Sequence, residues 1–254
     1  LGGGVIIIPL LTLGFGVPMH YAIGASLISV IGTSSGAAVA FVKEGFTNMR
    51  IGMFLEIATT TGAIAGALVS GILNPNTIGI IFASILLLTV ILNLKGKPDH
   101  QESLVSGSLE DRLKMYGTFP DKGVLKNYSA RNTVPGFFMM MFAGAMSGLL
   151  GIGSGALKVL AMDNMMKLPF KVSTTTSNFM IGVTAVASSL IYFQRGEIIP
   201  VIVAPVLVGV VVGSFIGSKT LMVSKTKKLK TFFAVVITIL SVYMMYNGIR
   251  NNFS

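Results

Sequence analysis

The sequence predicts an all-α integral membrane protein made of two inverted repeats, each a broken re-entrant helical hairpin followed by three transmembrane helices. Three observations support this prediction. First, 52% of the 254 residues are hydrophobic and only 11% are charged, whereas a soluble domain carries about 25% charged residues. Second, apolar runs recur that are long enough to span a bilayer, which takes about 20 residues. Third, most Lys and Arg residues lie between those runs, as they do in the loops of membrane proteins.

The apolar runs define the elements in chain order. A short run opens the chain and seven longer ones follow, interrupted by a polar segment that holds most of the acidic residues. The runs cover residues 1–17, 22–42, 51–73 and 77–94, and then 133–166, 173–193, 198–222 and 231–249. We therefore divide the chain into a first transmembrane repeat (1–94), a cytoplasmic linker (95–132) with a helical turn expected near Glu110–Met115, and a second transmembrane repeat (133–254).

A shift of 151 residues without a gap superimposes the two halves. The matched residues are those that break, turn or closely pack helices, namely Gly2/Gly153, Gly4/Gly155, Pro18/Pro169, Ser26/Ser177, Thr33/Thr184, Gly45/Gly196, Gly62/Gly213 and Gly66/Gly217. Duplicated halves are the usual plan of secondary transporters. Because the second half has a longer first run, we expect about 20 residues to be missing before Leu1.

The run 133–166 is too long for one straight span and contains Gly-Ile-Gly-Ser-Gly at Gly151–Gly155. Three glycines in five residues should break a helix, so we interpret the run as a hairpin that enters and leaves on one side. With the linker in the cytoplasm, this topology places 16 Lys and Arg residues inside and only Arg195 and Arg250 outside. A single crossing gives a weaker split of about 11 to 7, so the positive-inside rule favours the hairpin and an inverted second half.

Composition also excludes several functional classes. The chain has no Cys and only two His residues, so a thiol nucleophile, an iron–sulfur cluster and a His-rich metal site are excluded. We expect no metal, no cofactor and no enzymatic activity. The net charge of +10 lies between apolar runs, which indicates membrane topology and not nucleic-acid binding.

Several short motifs resemble the sulfite exporter TauE/SafE family. They are Leu1–Gly4 followed by an apolar run and Pro9, Gly16–Pro18, Ala22–Leu27 and a turn at Gly45. Some positions depart from the family pattern, including Ala25, Ser154, Val159-Leu160 and Lys158. The resemblance implies a multi-pass membrane exporter of sulfite, a sulfonate or a related sulfur-containing organic anion.

The glycine-rich breaks are the first candidates for an anion site. A helix that begins within the membrane presents unpaired N–H groups and a partial positive charge, and glycine lets an anion come close to them. Close helix packing or a kink is the alternative role. The candidate substrate-binding residues are Gly2, Gly3, Gly4, Ser26, Gly153, Ser154, Gly155, Lys158, Thr176, Ser177 and Asn178. The hydroxyl and amide side chains among them could instead cap helices or join neighbouring helices.

Two charged residues fall inside apolar runs. Lys158 lies one turn beyond Gly155, and an intramembrane lysine needs a partner. It could attract the substrate, pair with Asp163 or extend to the membrane surface. Glu56 is the acidic residue well inside a run. It is a candidate proton-coupling residue, although it could also reach the interface.

We therefore expect a secondary transporter that exports a small anion bound at two midplane glycine breaks. An anion channel and a non-transporting accessory subunit remain the alternatives. The expected partners are the anionic substrate, the lipid bilayer and protons as a candidate coupling ion, with no nucleic acid; a homo-oligomer is compatible with the sequence. The expected location is the prokaryotic plasma membrane.

Overall fold

A computed structural model describes residues 3–43, 47–94, 113–121, 124–223 and 226–253, and it is mostly helical. The α-helices are α1 (Gly4–Pro9), α2 (Met19–Lys43), α3 (Met49–Ser70), α4 (Pro75–Leu94), α5 (Thr133–Leu150), α6 (Gly155–Leu160), α7 (Phe170–Gln194), α8 (Pro200–Val223) and α9 (Thr226–Ile249). A π-helical turn extends α1 over Leu10–Gly14, and a second extends α6 over Ala161–Met165. Two strands, β1 (Tyr116–Asp121) and β2 (Val124–Ser129), lie between α4 and α5.

The helices recur along the chain at the same spacing as the sequence repeat. α1 and α6 begin 151 residues apart, at Gly4 and Gly155, and so do α2 and α7, at Met19 and Phe170. The two π-helical turns are separated by the same interval, as are the starts of α3 and α8 and those of α4 and α9. A local sequence of breaks and turns therefore produces the same order of elements twice.

The chain reverses direction between α5 and α6. Gly151, Gly153 and Ser154 all have a positive φ, which glycine adopts at little cost and other residues rarely adopt. After the reversal, α6 and its π-helical turn return to the end of the bundle at which α5 began. There the backbone N–H of Arg131 donates to the carbonyl of Met166 at 2.9 Å. We call this end the linker face and the opposite end the distal face.

The start of α1 lies against this reversal. A Cβ atom on Gly4 would come within 2.6 Å of the Gly151 carbonyl oxygen and 3.1 Å of the Ile152 Cα. Only glycine allows this approach without a shift of the backbone. The two glycine-rich breaks that the sequence singles out are therefore in contact.

Between α4 and α5, the structure corrects the expectation of an all-α fold. Strands β1 and β2 form an antiparallel hairpin that pairs Tyr116 with Ser129 and Asp121 with Val124. The helical turn expected near Glu110–Met115 is not found in its described part, because Leu113 and Lys114 form a turn and Met115 is irregular; residues 110–112 lie outside the described residues. Met115 and Tyr128 instead pack into a core cluster with Ile51 and Leu55 of α3. The hairpin thus covers the linker face of the bundle.

Helices α3 and α5 pack with their backbones close together. A Cβ atom on Gly148 would come within 2.7 Å of the Ala63 carbonyl carbon, and Gly62, Gly66 and Gly144 make similar approaches across the same seam. Small residues at such a seam let helices associate closely inside a membrane. By contrast, a Cβ atom on Gly209 or Gly213 of α8 would meet nothing within 4 Å.

The outward faces of the helices are apolar. Phe193, Val201, Ile57 and Val208 each expose more than 60% of their surface, and a soluble monomer rarely presents so much contiguous apolar area. Within the described ranges, α3, α5 and α7 are long and apolar enough to cross a membrane, and α4, α8 and α9 contain shorter apolar stretches. This distribution fits an integral membrane protein.

The seam between α3 and α5 predicts different effects of one substitution at two glycines. We expect Gly148→Ala to destabilise the protein by about 1–3 kcal/mol, because its methyl group would overpack the α3 backbone. The matched change Gly209→Ala should be neutral or slightly stabilising, since alanine favours a helix and the site is open. Thermal denaturation of the detergent-purified variants measures the difference, and equal melting temperatures would contradict this account of the seam.

Candidate functional site

The side chain of Lys158 is completely buried in the second turn of α6. Its Nζ donates a hydrogen bond to Thr184 Oγ1 of α7 at 2.5 Å. The described residues supply no carboxylate that forms an ion pair with it. A lysine ammonium has three N–H donors, so two of them have no hydrogen-bond partner among the residues that the structure describes.

The hydroxyl of Thr184 links this ammonium to Glu56 of α3. Thr184 Oγ1 lies 2.8 Å from Glu56 Oε1, and Thr60 Oγ1 donates to the same carboxylate oxygen at 3.0 Å. The Met180 carbonyl, 2.8 Å away, is a second acceptor for the single hydrogen of Thr184. Glu56 is 8% exposed, and its Oε2 is buried without a hydrogen-bond partner among the described residues.

We call Lys158, Thr184 and Glu56 the charged triad. Its two opposite charges lie in an apolar interior and are bridged by a hydroxyl. Removing such charges from water costs several kcal/mol for each ion, and direct contact between them would recover part of that cost. Among the described residues, the triad therefore holds a buried cation that contacts a hydroxyl and not a carboxylate.

The sequence identified two members of the triad and missed its centre. Lys158 and Glu56 stand out as charges within apolar runs, whereas Thr184 was noted only as the repeat partner of Thr33. The corresponding residues in the opposite halves are Ile7 and Leu207, so the charges occur once in the fold. Thr33 donates only to carbonyls of its own helix, those of Ser29 and Val30.

The candidate serines are engaged with the backbone near the two breaks. Ser26 Oγ donates to the Gly151 carbonyl at 2.8 Å, and Ser154 Oγ donates to the Ala143 carbonyl at 2.6 Å. Ser177 Oγ donates to the Gly155 carbonyl at 3.3 Å. In this arrangement the three hydroxyl hydrogens are therefore engaged by backbone carbonyls, and Ser26 and Ser177 make cross-element hydrogen bonds of the kind that their alternative interpretation describes.

The glycines of the two breaks occupy different surroundings. Gly2 lies outside the described residues, Gly3 is exposed, and Gly4 is buried. Gly153 and Gly155 lie against Ile181 of α7. Next to α6 is a cavity of about 10 Å³, which has room for about one water molecule and not for an oxyanion. It is lined by residues that include Val5, Leu86, Thr89, Ile152 and Ser154, and no member of the triad lines it.

The remaining candidates lie nearer the linker face. Thr176 Oγ1 accepts from the backbone N–H of Asn48 at 3.1 Å, and Asn178 is half-buried. Asn48 caps α3 through Ile51 N–H and also donates to the Tyr128 hydroxyl at 2.8 Å. Burial raises the pKa of Tyr128 above its ordinary value, so its phenol stays neutral and can accept this hydrogen bond. Thr176 thus belongs to the set of hydrogen bonds that attaches the β1–β2 hairpin to the helices.

Asp163 does not pair with Lys158. It is buried on the π-helical turn that follows α6, whereas the ammonium of Lys158 extends to Thr184. Of the alternatives for Lys158, pairing with Asp163 is therefore not what the structure shows. No three His, Asp or Glu side chains of the described segments converge to hold a metal ion.

A second polar cluster closes the distal face. The Tyr192 hydroxyl lies 2.8 Å from Ser70 Oγ and 3.0 Å from the Gly148 carbonyl. Arg195 donates to the Ala67 carbonyl at 2.6 Å and pairs with Glu197 at 2.7 Å. These bonds tie the end of α7 to the ends of α3 and α5.

The comparison with known proteins agrees with this arrangement. The family model described as sulfite exporter TauE/SafE matches residues 1–244. The chain belongs to the sulfite exporter TauE/SafE family. It is 27% identical over 98% of its length to probable membrane transporter protein YunE of Bacillus subtilis, covering 92% of that protein. It is 26% identical over 86% of its length to probable membrane transporter protein YdhB of the same organism, covering 81% of that protein.

A probable membrane transporter protein of Xylella fastidiosa is 22% identical over 97% of the chain and 88% of its own length. No solved structure matches the chain. This TauE/SafE protein is therefore a member of a membrane transporter family and not of an enzyme class. The resemblance inferred from the sequence motifs is confirmed.

The charged triad predicts non-additive effects of substitution in this TauE/SafE protein. We expect Lys158→Met to destabilise the fold by about 3 kcal/mol, because it leaves the Glu56 carboxylate buried without a counter-charge. Adding Glu56→Gln should recover most of that loss, since the double variant buries no charge. Thermal denaturation of both variants and of Glu56→Gln alone completes the cycle. Strictly additive effects would contradict coupling between the two charges.

The distal cluster predicts that Tyr192→Phe lowers stability by about 1–2 kcal/mol, because the buried Ser70 hydroxyl and Gly148 carbonyl lose their partner. Tyr243→Phe is the matched control, since Tyr243 is half-exposed on α9. Melting temperatures of the two variants in detergent provide the test. A Tyr192→Phe protein as stable as the Tyr243→Phe protein would show that the cluster does not hold the distal face together.

Proposed function

We propose that this TauE/SafE protein is a secondary transporter that exports a small oxyanion, such as sulfite or a sulfonate, and that Lys158 is the group that holds it. The observation that carries this proposal is a fully buried ammonium that makes a single hydrogen bond within the described part of the chain. A structural lysine at such depth would be expected to contact a carboxylate directly. Here it contacts a hydroxyl and retains two donors for a ligand.

The chemistry of the site favours a compact oxyanion. Charge-assisted hydrogen bonds from an ammonium are among the stronger ones, and a sulfite or sulfonate group offers three oxygen acceptors. The matching family is named for sulfite export, whereas the relatives are named only as probable membrane transporters. The substrate assignment thus rests on the buried cation and on the family description together.

The proposed mechanism is alternating access by two inverted repeats. The recurrence of helix starts at an interval of 151 residues supports the repeat. The inverted orientation is supported at the distal face, where a Cβ atom on Gly24, near the start of α2, would lie 2.6 Å from the carbonyl oxygen of Glu197, just beyond the end of α7. Helices α2 and α7 hold equivalent positions in the two halves and run in opposite directions. Such repeats can rock against each other around a fixed site.

The glycine-rich breaks are where the halves would part. Gly4 and Gly151 touch across the boundary, and the adjacent cavity is too small for the substrate. In this proposal the arrangement is occluded, and separation of the breaks would give the anion access to Lys158. Gly3, Gly153 and Gly155 would let the backbone pass close to the anion. Asn178 has an amide side chain and directly follows Ser177, whose hydroxyl donates to the Gly155 carbonyl.

We further propose that the protein lies in the plasma membrane with the β1–β2 hairpin in the cytoplasm. This orientation gives the cytoplasmic side 16 of the 19 Lys and Arg residues. The positive-inside rule favours that arrangement. It makes the linker face the cytoplasmic entrance for an exported anion.

Uptake of radiolabelled sulfite into proteoliposomes tests the proposed function, with methanesulfonate and acetate as further anions. We expect saturable uptake that is accelerated by unlabelled anion on the opposite side, as in a carrier. Lys158→Met should reduce the rate at least about tenfold, the equivalent of a loss of 1.4 kcal/mol in transition-state stabilisation. Lys167→Met is the control because Lys167 is exposed and outside the triad.

Three results would contradict the proposal in different ways. Unsaturable flux without acceleration by trans anion would indicate a channel. Wild-type rates in folded Lys158→Met protein would remove Lys158 from the site. An absence of flux for every anion would favour a different substrate class or an accessory role.

A further inference from the structure

The charged triad contains an acidic group that binding of an anion to Lys158 does not use. Glu56 lies on α3, and its Oε1 accepts hydrogen bonds from Thr60 and Thr184. Its Oε2 is buried and has no hydrogen-bond partner in the described structure. A carboxylate oxygen held in this way requires either a proton or a donor from a ligand.

The charge balance of the triad indicates whether Glu56 Oε2 receives a proton or a donor from a ligand. With no substrate, one ammonium and one carboxylate give the triad a net charge of zero. A monoanion bound to Lys158 would leave it with one excess negative charge inside a dehydrated bundle. Burial of an uncompensated charge costs several kcal/mol, whereas a proton on Glu56 would restore neutrality.

We propose that this protein carries one proton on Glu56 with each monoanion on Lys158, so that transport is electroneutral proton–anion symport. The proposal rests on the anion transport proposed above and specifies its coupling: the proton leaves with the exported anion, so the outward concentration gradient of the anion drives export. A proton from the aqueous phase bonds to Glu56 as the anion binds, and both are released on the other side. No other covalent bond is made or broken in the cycle.

Thr184 is placed to couple the protonation of Glu56 to the binding of the anion at Lys158. In the empty site its hydroxyl accepts from Lys158 and donates to Glu56 Oε1. When Glu56 is protonated, the hydrogen of Thr184 can turn to the Met180 carbonyl, which lies at the same 2.8 Å distance. Thr184 is therefore a positioning residue that connects the protonation of Glu56 to the ammonium.

The surroundings of Glu56 leave Lys158 as the charge that acts on it. The helix α5, which packs along α3, has no ionisable side chain. The ionisable residues of α7, Lys171 and Tyr192, lie near its two ends. Asp163 lies on the π-helical turn beyond α6, and Lys158 is the one charged group that interacts electrostatically with Glu56 within the described structure.

The first experiment compares two driving forces in wild-type proteoliposomes. Labelled methanesulfonate is used in both arms, once across a pH gradient and once at equal pH on both sides, because a sulfonate stays a monoanion over that range. A potassium–valinomycin diffusion potential sets the voltage in the second arm. We expect the pH gradient to drive at least fivefold accumulation of methanesulfonate, and we expect the voltage to change its flux by less than twofold.

The second experiment uses Glu56→Gln, which fixes this position in a neutral form. The empty variant would hold an unbalanced ammonium, whereas the anion-loaded variant is neutral. We therefore expect anion exchange to persist and lose its pH dependence, and we expect net uptake to fall at least tenfold. Thr184→Val should weaken the pH response, and Thr33→Val, at the equivalent position of α2, should not.

The outcomes separate this proposal from the proposed function. Flux that follows voltage and ignores the pH gradient would overturn proton symport and leave anion transport standing. A Glu56→Gln protein that accumulates methanesulfonate in response to pH as the wild type does would also overturn it. Absence of flux for both sulfite and methanesulfonate in the wild type would overturn both proposals. The wild-type measurements do not depend on whether any variant folds.

Discussion

A lysine ammonium without accessible surface is the constraint on which the arrangement of this protein depends. Lys158 lies in the six-residue helix α6. The chain reverses direction between α5 and α6, and α7 passes alongside α6. An ionised side chain in such an interior is tolerated only with partners. The bundle supplies them from two other helices, through Thr184 of α7 and Glu56 of α3. The three elements must therefore meet at this point for the charge to be buried.

The close packing around this point explains the use of small residues. Helix α3 carries Glu56 and is pressed against α5 along glycines that would clash if they bore a side chain. The reversal after α5 then returns the chain as α6, with residues in the left-handed region at the turn. Gly4 of the first half fits directly against this reversal. Glycine thus fixes the position of Lys158 indirectly, by setting how closely the helices around it approach.

Much of this arrangement was predictable from local chemistry. Glycine-rich breaks, the spacing of 151 residues and charges within apolar runs identified the repeat, the reversal after α5, and the residues Lys158 and Glu56. The hairpin at Tyr116–Ser129 was not predicted, because its stability comes from packing against α3 and not from a strong local pattern. The role of Thr184 was also hidden, since a threonine in an apolar helix has no charge to distinguish it. The serines near the breaks were predicted as possible donors to a ligand, but the partners of their hydroxyls depend on tertiary contacts.

The central claim is that the buried ammonium is an anion site. An experimental structure with bound selenite, an anomalously scattering relative of sulfite, tests it most directly. The account predicts an anomalous peak about 4 Å from Lys158 Nζ, because the selenium lies one Se–O bond beyond an oxygen at hydrogen-bond distance, with the link through Thr184 loosened. A selenite peak found only among basic residues of the linker face, with the Lys158–Thr184 hydrogen bond intact, would contradict it.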